Sequence, residues 1–262
     1  MVIVEGLKGK VVLVTGGSRG IGRSIALAFA SRGSRVAIAG RTQATLEMVA
    51  QEIRSMGGEA LPLRCDITRA EEVAALNRQI TDRLGKVQIL VNNAGVAPAV
   101  AFLEMDDHLW EEMLKINLTG AYHCCKVFLP EMIPSGWGRI INIASTVAKV
   151  AYPYISAYTA SKHGLLGLTR ALAIEMARTG VTVNAICPGY VDTDLTLTNA
   201  RLMAEKTGKE VEEALKLFKG ASPQNRLIAP EEVADLALML ASESAGAITG
   251  QAINVDGGAV MA

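Results

Sequence analysis

The 262-residue chain has no excess of charge of either sign, because 26 Lys and Arg side chains balance 26 Asp and Glu side chains. With this balance there is no electrostatic reason to expect nucleic acid or an anionic membrane surface as a partner. No segment approaches the ~18 consecutive apolar residues that span a bilayer, and residues 1–10 lack the apolar region of a secretion signal. These absences favour a cytoplasmic protein with small-molecule partners, without nucleic acid or membrane.

Cysteine and histidine are also scarce, with four and three residues. No two cysteines have the Cys-x-x-Cys spacing of a metal or redox motif, and the histidines are scattered along the chain. We therefore expect no metal site. The adjacent Cys124 and Cys125 are expected to pack inside a helix, without a disulfide.

Apolar residues, by contrast, make up half of the chain, and they are arranged in short runs. Seven runs have the character of strands covered on both faces: 11–14, 36–39, 60–63, 89–91, 140–143, 181–186 and 252–255. Helical stretches alternate with them at 22–31, 45–55, 70–84, 107–133, 157–177 and 231–241. This alternation predicts an α/β fold, namely a Rossmann-type doubly wound sheet of seven parallel strands with helices on both faces, in a single domain over residues 1–262.

The segment near 190–220 interrupts this alternation. About forty residues, a length that usually marks a functional excursion in a compact domain, separate Gly189 from Pro230 without a strand pattern. Val211, Ala214 and Phe218 recur there at helical spacing. Two interpretations stay open: a mobile lid over the substrate, or a surface helix packed on the core.

A glycine-rich loop, Thr15-Gly16-x-x-x-Gly20-x-Gly22, directly follows the first predicted strand and opens the first helix. Gly16 permits a tight turn, Gly20 lets the backbone approach a pyrophosphate, and Gly22 lets helix and strand pack closely. The N-terminus of the helix then presents unpaired N–H groups and a partial positive charge to the phosphates. The loop therefore predicts a dinucleotide cofactor.

The end of the second predicted strand indicates which nicotinamide cofactor binds. NAD sites carry an Asp or Glu there, which accepts hydrogen bonds from the adenosine ribose. Here the strand runs into Gly40 and Arg41 without a carboxylate. Arg41, together with Arg19 inside the glycine loop, is suited to grip a 2′-phosphate through charge-assisted hydrogen bonds. We therefore expect NADP(H) in preference to NAD(H).

Tyr158 and Lys162 lie four residues apart in a predicted helix, and therefore on one face of it. A phenol has a pKa near 10 and exchanges protons poorly at neutral pH. We expect an ammonium group roughly 5 Å away to lower that pKa by about two units, into a range useful for proton transfer. Ser145, just after the fifth strand, is placed to donate a hydrogen bond to a substrate oxygen.

The glycine loop, the Asn-Asn-Ala-Gly motif at 92–95, Ser145 and the Tyr158/Lys162 pair occur in this order over 262 residues. In this respect the whole chain resembles the short-chain dehydrogenase/reductase family. The resemblance implies a catalytic group of Asn117, Ser145, Tyr158 and Lys162. In this group Tyr158 is the general acid of a carbonyl reduction, and Asn117 positions a water that relays protons to Lys162.

The same resemblance implies a cofactor site, hydride transfer without a metal, and a homotetramer assembled through the helices at 107–133 and 157–177. Tyr158 and Lys162 belong to this cofactor site as well as to the catalytic group. Its remaining members are Gly16, Ser18, Arg19, Gly20, Ile21, Gly22, Arg41, Asp66, Ile67, Asn93, Ala94, Gly95, Pro188, Gly189, Val191 and Thr193.

The substrate is indicated less directly. Residues 158–164 and 177–184 resemble those of 3-oxoacyl thioester reductases and aromatic polyketide ketoreductases. The segment from residue 205 onward resembles 3-hydroxybutyrate dehydrogenases instead, which hold a free carboxylate with a His and a Lys. At the two matching places this chain has Val147 and Ile155. Carrier-protein reductases of the fatty-acid type have basic residues where this chain has Gly136 and Thr179, although Arg178 adjoins the second.

We therefore expect an apolar substrate lining formed by Val147, Ile155, Tyr190 and Met203. The expected activity is NADPH-dependent reduction of the ketone of a 3-oxoacyl thioester or a similar carbonyl compound, on coenzyme A or a carrier protein. The alternatives are an NAD(P)-dependent dehydrogenase of a small secondary or cyclic alcohol, or of 3-hydroxybutyrate. A third alternative is a cofactor-binding regulator without catalysis.

Overall fold

The computed structural model describes residues 5–262. Within them, one sheet contains seven parallel strands in the order β3-β2-β1-β4-β5-β6-β7. Each predicted strand is confirmed, with ends that extend by one or two residues in most cases. The strands are β1 (Val11–Thr15), β2 (Arg35–Gly40), β3 (Glu59–Arg64), β4 (Ile89–Asn92), β5 (Gly138–Ile143), β6 (Val181–Pro188) and β7 (Ala252–Val255).

Helices cover both faces of this sheet, which confirms the doubly wound arrangement. They are α1 (Gly20–Ser31), α2 (Gln43–Ser55), α3 (Ala70–Leu84), α4 (Asp107–Leu114), α5 (Gly120–Met132), α6 (Ser156–Met176), α7 (Asp194–Thr207), α8 (Val211–Gly220) and α9 (Pro230–Ala241). Alternate side chains of a strand point to opposite faces. Accordingly, Val12 and Val14 pack into a core with α1, α2 and α9, whereas Val11 and Leu13 pack into a second core with α3 and α5.

The strand order reverses between β1 and β4, which are hydrogen-bonded neighbours although two strands separate them along the chain. Parallel strands that diverge in this way leave a crevice at their carboxyl ends, where ligands bind. The glycine loop follows β1, and the Asn-Asn-Ala-Gly motif begins with the last residue of β4. The fold therefore brings these two motifs together at one edge of the sheet.

The helix expected at 107–133 is helical without a break over residues 107–132, but its geometry is not uniform. A π-helical turn, Lys115–Thr119, separates α4 from α5, and Ile133 begins a short 3-10 turn. A π turn inserts one extra residue into a helix and is frequent at functional sites. Here Asn117 lies at the middle of the turn, so the irregularity is centred on a residue of the predicted catalytic group.

The segment near 190–220 forms two helices, of which the sequence pattern predicted only α8. Gly208, in the left-handed region at φ 69°, ends α7, and α8 begins three residues later. The Phe218 ring of α8 stacks on Tyr190 at a centroid distance of 4.4 Å. This stacking holds α8 against the start of the same segment, and Lys206 Nζ of α7 donates to the carbonyl oxygen of Ala99 at 3.2 Å. The mobility of the segment as a lid stays a prediction.

Two further observations concern the composition. Cys65, Cys124, Cys125 and Cys187 are free and buried, and the adjacent Cys124 and Cys125 pack in α5 against the second core. Over residues 5–262, no helix combines the length and the apolar character that a membrane crossing requires.

Candidate active site

A cleft of about 1210 Å³ opens at the carboxyl ends of the strands. It runs from the start of α2, past the glycine loop, to Ser145, Tyr158 and the beginning of α7. Every residue that the sequence analysis assigned to cofactor binding lines this one cleft. Their shared position is consistent with a dinucleotide site, while the contact made by each residue stays a prediction.

The glycine loop leaves no room for side chains. Gly16 has φ 64°, and a Cβ atom there would lie 2.8 Å from the Cα of Ala94. At Gly22 a Cβ would clash with the carbonyl oxygen of Gly16 and with Nδ2 of Asn93. The glycines are therefore required by close approach between the loop, α1 and the strand end, as the sequence pattern predicted.

Side chains from the Asn-Asn-Ala-Gly motif hold the loop in this conformation. Asn93 Nδ2 donates to the carbonyl oxygens of Thr15 at 2.9 Å and Gly16 at 3.1 Å. In return, the Thr15 hydroxyl accepts from the backbone N–H groups of Asn93 at 3.0 Å and Ala94 at 3.2 Å. These bonds satisfy backbone N–H and carbonyl groups at the ends of β1 and β4. They hold the loop in a cradle shape without a ligand, and that shape suits a pyrophosphate.

The end of the cleft beside α2 carries the arginine that the sequence places after β2. β2 ends at Gly40, and the following Arg41 is exposed and lines the cleft beside Thr42 and Thr45. A carboxylate, Glu52, does line this end, but Arg23 binds it through two hydrogen bonds. Thr42, Thr45 and the Arg23–Glu52 pair were not predicted from the sequence. Thr42 and Thr45 occupy the cap and first turn of α2 directly after Arg41, which is the one sequence signal for them.

Asp66, after β3, closes the same end of the cleft. Although partial burial acts to raise the pKa of this carboxyl, the pKa is lowered overall. The lowering comes from hydrogen bonds to Thr68, one of them from the Thr68 N–H at 3.0 Å, and from the charges of Arg41 and Lys115. Asp66 is therefore an ionised hydrogen-bond acceptor at neutral pH.

Tyr158 and Lys162 lie together on α6, with Lys162 Nζ 5.8 Å from the Tyr158 ring centre. The expected lowering of the phenol pKa is wrong for the protein alone. Burial raises the pKa of Tyr158 to about 12, against a smaller opposing effect of its hydrogen bond with Ser145. Burial also lowers the pKa of Lys162 to about 8. Sequence spacing revealed that the two groups are neighbours, but not that Lys162 is buried and Tyr158 partly buried. Desolvation is the largest influence on both pKa values.

Lys162 is held by the strand beside it. The residue is almost fully buried, at 4% exposure, and its ammonium group donates to the carbonyl oxygen of Ile143 at 2.8 Å. Ser145 lies two residues beyond Ile143, and its Oγ accepts from the N–H of Val147 at 3.3 Å. The end of β5 therefore positions Ser145 and Lys162 together.

Asn117 lies close to this group but its side chain is fully engaged. Its Oδ1 accepts from the N–H of Val96, and its Nδ2 donates to the Val96 carbonyl, each at 2.9 Å. Nδ2 also lies 3.1 Å from the Ser161 hydroxyl and from the Met113 sulfur. The side chain consequently anchors the loop after β4 to the π turn. Because the side chain is engaged, the predicted water would have to bind the main chain of Asn117.

The four predicted substrate-lining residues are not among those that line the cleft. Val147 is buried, at 5% exposure, within the 3-10 turn Thr146–Ala148 that follows Ser145. Ile155 precedes α6, Tyr190 stacks on Phe218, and Met203 lies on α7. Conversely, His108, for which the sequence suggested no role in the site, is exposed at the cleft rim.

Comparison with known proteins identifies the family. Residues 10–202 match the family model of the short chain dehydrogenases. A putative ketoacyl reductase of Streptomyces coelicolor is 39% identical over 95% of this chain and 96% of its own. A D-beta-hydroxybutyrate dehydrogenase of Cupriavidus necator is also 39% identical, over 96% of this chain and 98% of its own.

Among solved structures, a tryptophan-substituted variant of actinorhodin polyketide ketoreductase with NADPH superposes with a TM-score of 0.93. It is 39% identical and covers 95% of this chain and 97% of its own. The chain therefore belongs to the short-chain dehydrogenase/reductase family, as the sequence motifs predicted. It is an oxidoreductase that acts on CH–OH and C=O groups.

Proposed function

We propose that this protein is an NADPH-dependent reductase that transfers a hydride to the ketone of a 3-oxoacyl thioester or a similar carbonyl compound. The observation that carries the proposal is the position of Ser145, Tyr158 and Lys162 at one end of a cleft whose other parts fit a dinucleotide. The likeness to a ketoacyl reductase and to a polyketide ketoreductase with NADPH supports the same assignment.

When bound, the nicotinamide supplies the hydride, and the protein's own residues manage the proton and the orientation. With its pKa raised to about 12, Tyr158 is protonated at neutral pH and suited to donate a proton to the carbonyl oxygen. Ser145 shares a hydrogen bond with that phenol and is placed to orient the same oxygen. The charge of Lys162 favours the negative charge that develops when the proton leaves Tyr158.

The cofactor is proposed to be NADP(H) because Arg41, and no acid, directly follows β2 at the end of the cleft beside α2. Arg41 lies beside Asp66. Glu52, a second carboxylate at this end of the cleft, forms a salt bridge with Arg23. Arg19 directly precedes α1 and lines the same cleft as Arg41. Two guanidinium groups match a 2′-phosphate better than they match a ribose hydroxyl.

A substitution of Arg41 tests the proposed preference for NADPH over NADH. In Arg41→Ala, KM for NADPH should rise about ten- to a hundredfold, since a charge-assisted hydrogen bond is lost, while KM for NADH stays nearly constant. Arg64→Ala, at the exposed end of neighbouring β3 and outside the cleft, is the matched control and should change neither value. A parent enzyme that prefers NADH more than about tenfold would refute the proposal.

Oxidation of 3-hydroxybutyrate is a second candidate, favoured by the similarity to the Cupriavidus enzyme. It fits the residues less well, because a small carboxylate substrate needs a cation beside the catalytic group. Val147 and Ile155 offer none. Lys149, the cation nearest in sequence, donates instead to the carbonyl oxygens of Ala252 at 2.7 Å and Ala262 at 2.5 Å.

The remaining proposals concern partners. A coenzyme A or carrier-protein thioester would present the keto group to the cleft, and Arg178 is exposed near the position that is basic in carrier-protein reductases. We also propose a homotetramer assembled through α4–α5 and α6. Tyr122 of α5, at 43% exposure, and Ile174 of α6, at 79%, are apolar side chains available for such contacts.

Initial rates decide between these functions. Neutral ketones, 3-oxoacyl-coenzyme A esters, acetoacetate and secondary alcohols would each be assayed with NADPH or NADH, or with the oxidised cofactors. The proposal predicts the highest kcat/KM for an uncharged keto group with NADPH. A preference for acetoacetate or 3-hydroxybutyrate would favour the second candidate, and no turnover with any substrate would favour a regulator.

A further inference from the structure

A chain of buried side-chain hydrogen bonds connects the sheet to α6. Asn92 Nδ2, on β4, donates to Asn142 Oδ1 on β5 at 2.8 Å. Asn142 Nδ2 donates to the Thr169 hydroxyl on α6 at 2.8 Å, and that hydroxyl donates to the carbonyl oxygen of Leu165 at 2.8 Å. The exposures of Asn92, Asn142 and Thr169 are 5%, 0% and 0%. Burying polar side chains costs desolvation free energy, which these hydrogen bonds offset only when their geometry is good. The positions of the three side chains are therefore tightly constrained.

The direction of these bonds follows from the chemistry of Thr169. Its single hydroxyl proton is used by the Leu165 carbonyl, so the oxygen is left to accept from Asn142. This requires Asn142 to turn its amide nitrogen toward α6 and its oxygen toward Asn92. One threonine hydroxyl therefore orients the amides of two strands.

The same helix carries the reacting group. Thr169 is seven residues beyond Lys162, close to two full turns, and so lies on the same face about 10 Å along the axis. Asn142 directly precedes Ile143, whose carbonyl accepts from Lys162. Two consecutive residues of β5 therefore bind α6 at two separate points, which fixes both the height and the tilt of the helix against the sheet.

We propose that Thr169 and Asn142 are positioning residues for the reduction: through α6 they hold Lys162 and Tyr158 at the end of the cleft. The inference rests on the proposed function, since it assigns these residues to that reaction. Neither residue lines the cleft, and so neither touches substrate or cofactor there. A displacement of about 1 Å in a reacting group is sufficient to cost up to a hundredfold in rate.

Thr169→Val tests the proposal because it keeps the shape of the side chain and removes only the hydroxyl. We expect kcat with NADPH to fall about tenfold, and Thr169→Ser, which retains the hydroxyl, to restore it to within about twofold of the parent. Thr182→Val on β6 is the matched control. Thr182 is also buried, at 5% exposure, but its hydroxyl has no hydrogen-bond partner in the described structure, so its loss should leave kcat unchanged.

The pH profile separates positioning from a purely structural role. If α6 moves, Lys162 loses the Ile143 carbonyl that favours its charged form, and the alkaline limb of the rate profile should shift to lower pH in Thr169→Val only. The titratable groups that face Lys162 are Tyr158 on α6 and Cys187 on β6, and both are intact in every variant.

Thermal unfolding and NADPH binding would show that each variant is folded. A Thr169→Val protein that unfolds at a lower temperature but keeps the parent's kcat and pH profile would overturn the inference. So would failure of both Thr169→Val and Thr169→Ala to fold, since the hydroxyl would then serve folding alone. Absence of turnover in the parent would instead refute the proposed function, which keeps the two failures distinct.

Discussion

At the scale of single residues, the chemistry depends on burial as much as on which groups are adjacent. The sequence revealed Tyr158 and Lys162 as a pair, yet the effect expected of the ammonium on the phenol is reversed by desolvation. Burial depends on the packing of several elements, and spacing along one helix carries no information about it. The result still suits reduction, in which a protonated phenol is the proton donor.

The lowered pKa of Lys162 also predicts how stability depends on pH. Its pKa is about 8 in the folded protein and about 10.5 when unfolded, so between these values the unfolded state binds more protons. Stability therefore increases with pH in this window. From pH 7 to pH 9 the free energy of unfolding of the parent should rise by about 1 kcal/mol relative to Lys162→Met.

Denaturant unfolding of both proteins at the two pH values measures this difference, in which the titration of other groups cancels. A parent that loses stability relative to Lys162→Met over the same interval would contradict the burial of a charged Lys162. The raised pKa of Tyr158 acts in the opposite sense only above about pH 10, so it leaves this window unaffected.

At the scale of elements, the sequence pattern identified all seven strands, because each is a short run rich in apolar residues. Six of them are largely buried, whereas the edge strand β7 is only partly buried. The pattern was less informative for helices with irregular geometry. The π turn at Lys115–Thr119 leaves the periodicity of the flanking residues nearly unchanged, and α7 presents a largely polar surface. Neither feature produces the apolar pattern on which a sequence-based assignment depends.

The glycine loop allows a test at this scale. In Gly22→Ala the added methyl group would overlap the Gly16 carbonyl and the Asn93 amide, which together fix the cradle. We expect the Kd for NADPH, measured by fluorescence titration, to rise about ten- to a hundredfold, as for other overpacked sites. Gly220→Ala, at the end of α8 with open space around it, should bind NADPH like the parent. Equal affinities in the two variants would argue against a cradle at this loop.

At the scale of the whole molecule, the sheet topology gathers motifs that are far apart in sequence into one cleft. The order of glycine loop, Asn-Asn-Ala-Gly motif, Ser145 and Tyr158/Lys162 was readable from the sequence, and each cluster lines the cleft in the fold. The substrate-lining residues were harder to predict. Their positions depend on how α7, α8 and the loop before α6 pack, for which the chain offers no repeated pattern.

Assembly is also a property at this scale. Light scattering or sedimentation should give the mass of four chains of 27.7 kDa. The number of four is what the family resemblance implies, and the apolar side chains exposed on α5 and α6 and the absence of net charge are compatible with association. A monodisperse species with the mass of one chain at micromolar concentration would exclude the proposed tetramer.

The central claim is that Tyr158 supplies the proton during reduction of a ketone by NADPH. The most direct measurement is kcat of Tyr158→Phe on the best ketone substrate of the parent, beside Tyr122→Phe, which removes a hydroxyl from the exposed face of α5. The account predicts that Tyr158→Phe loses at least about a hundredfold in kcat and that Tyr122→Phe equals the parent. Turnover by Tyr158→Phe within a few-fold of the parent would contradict it.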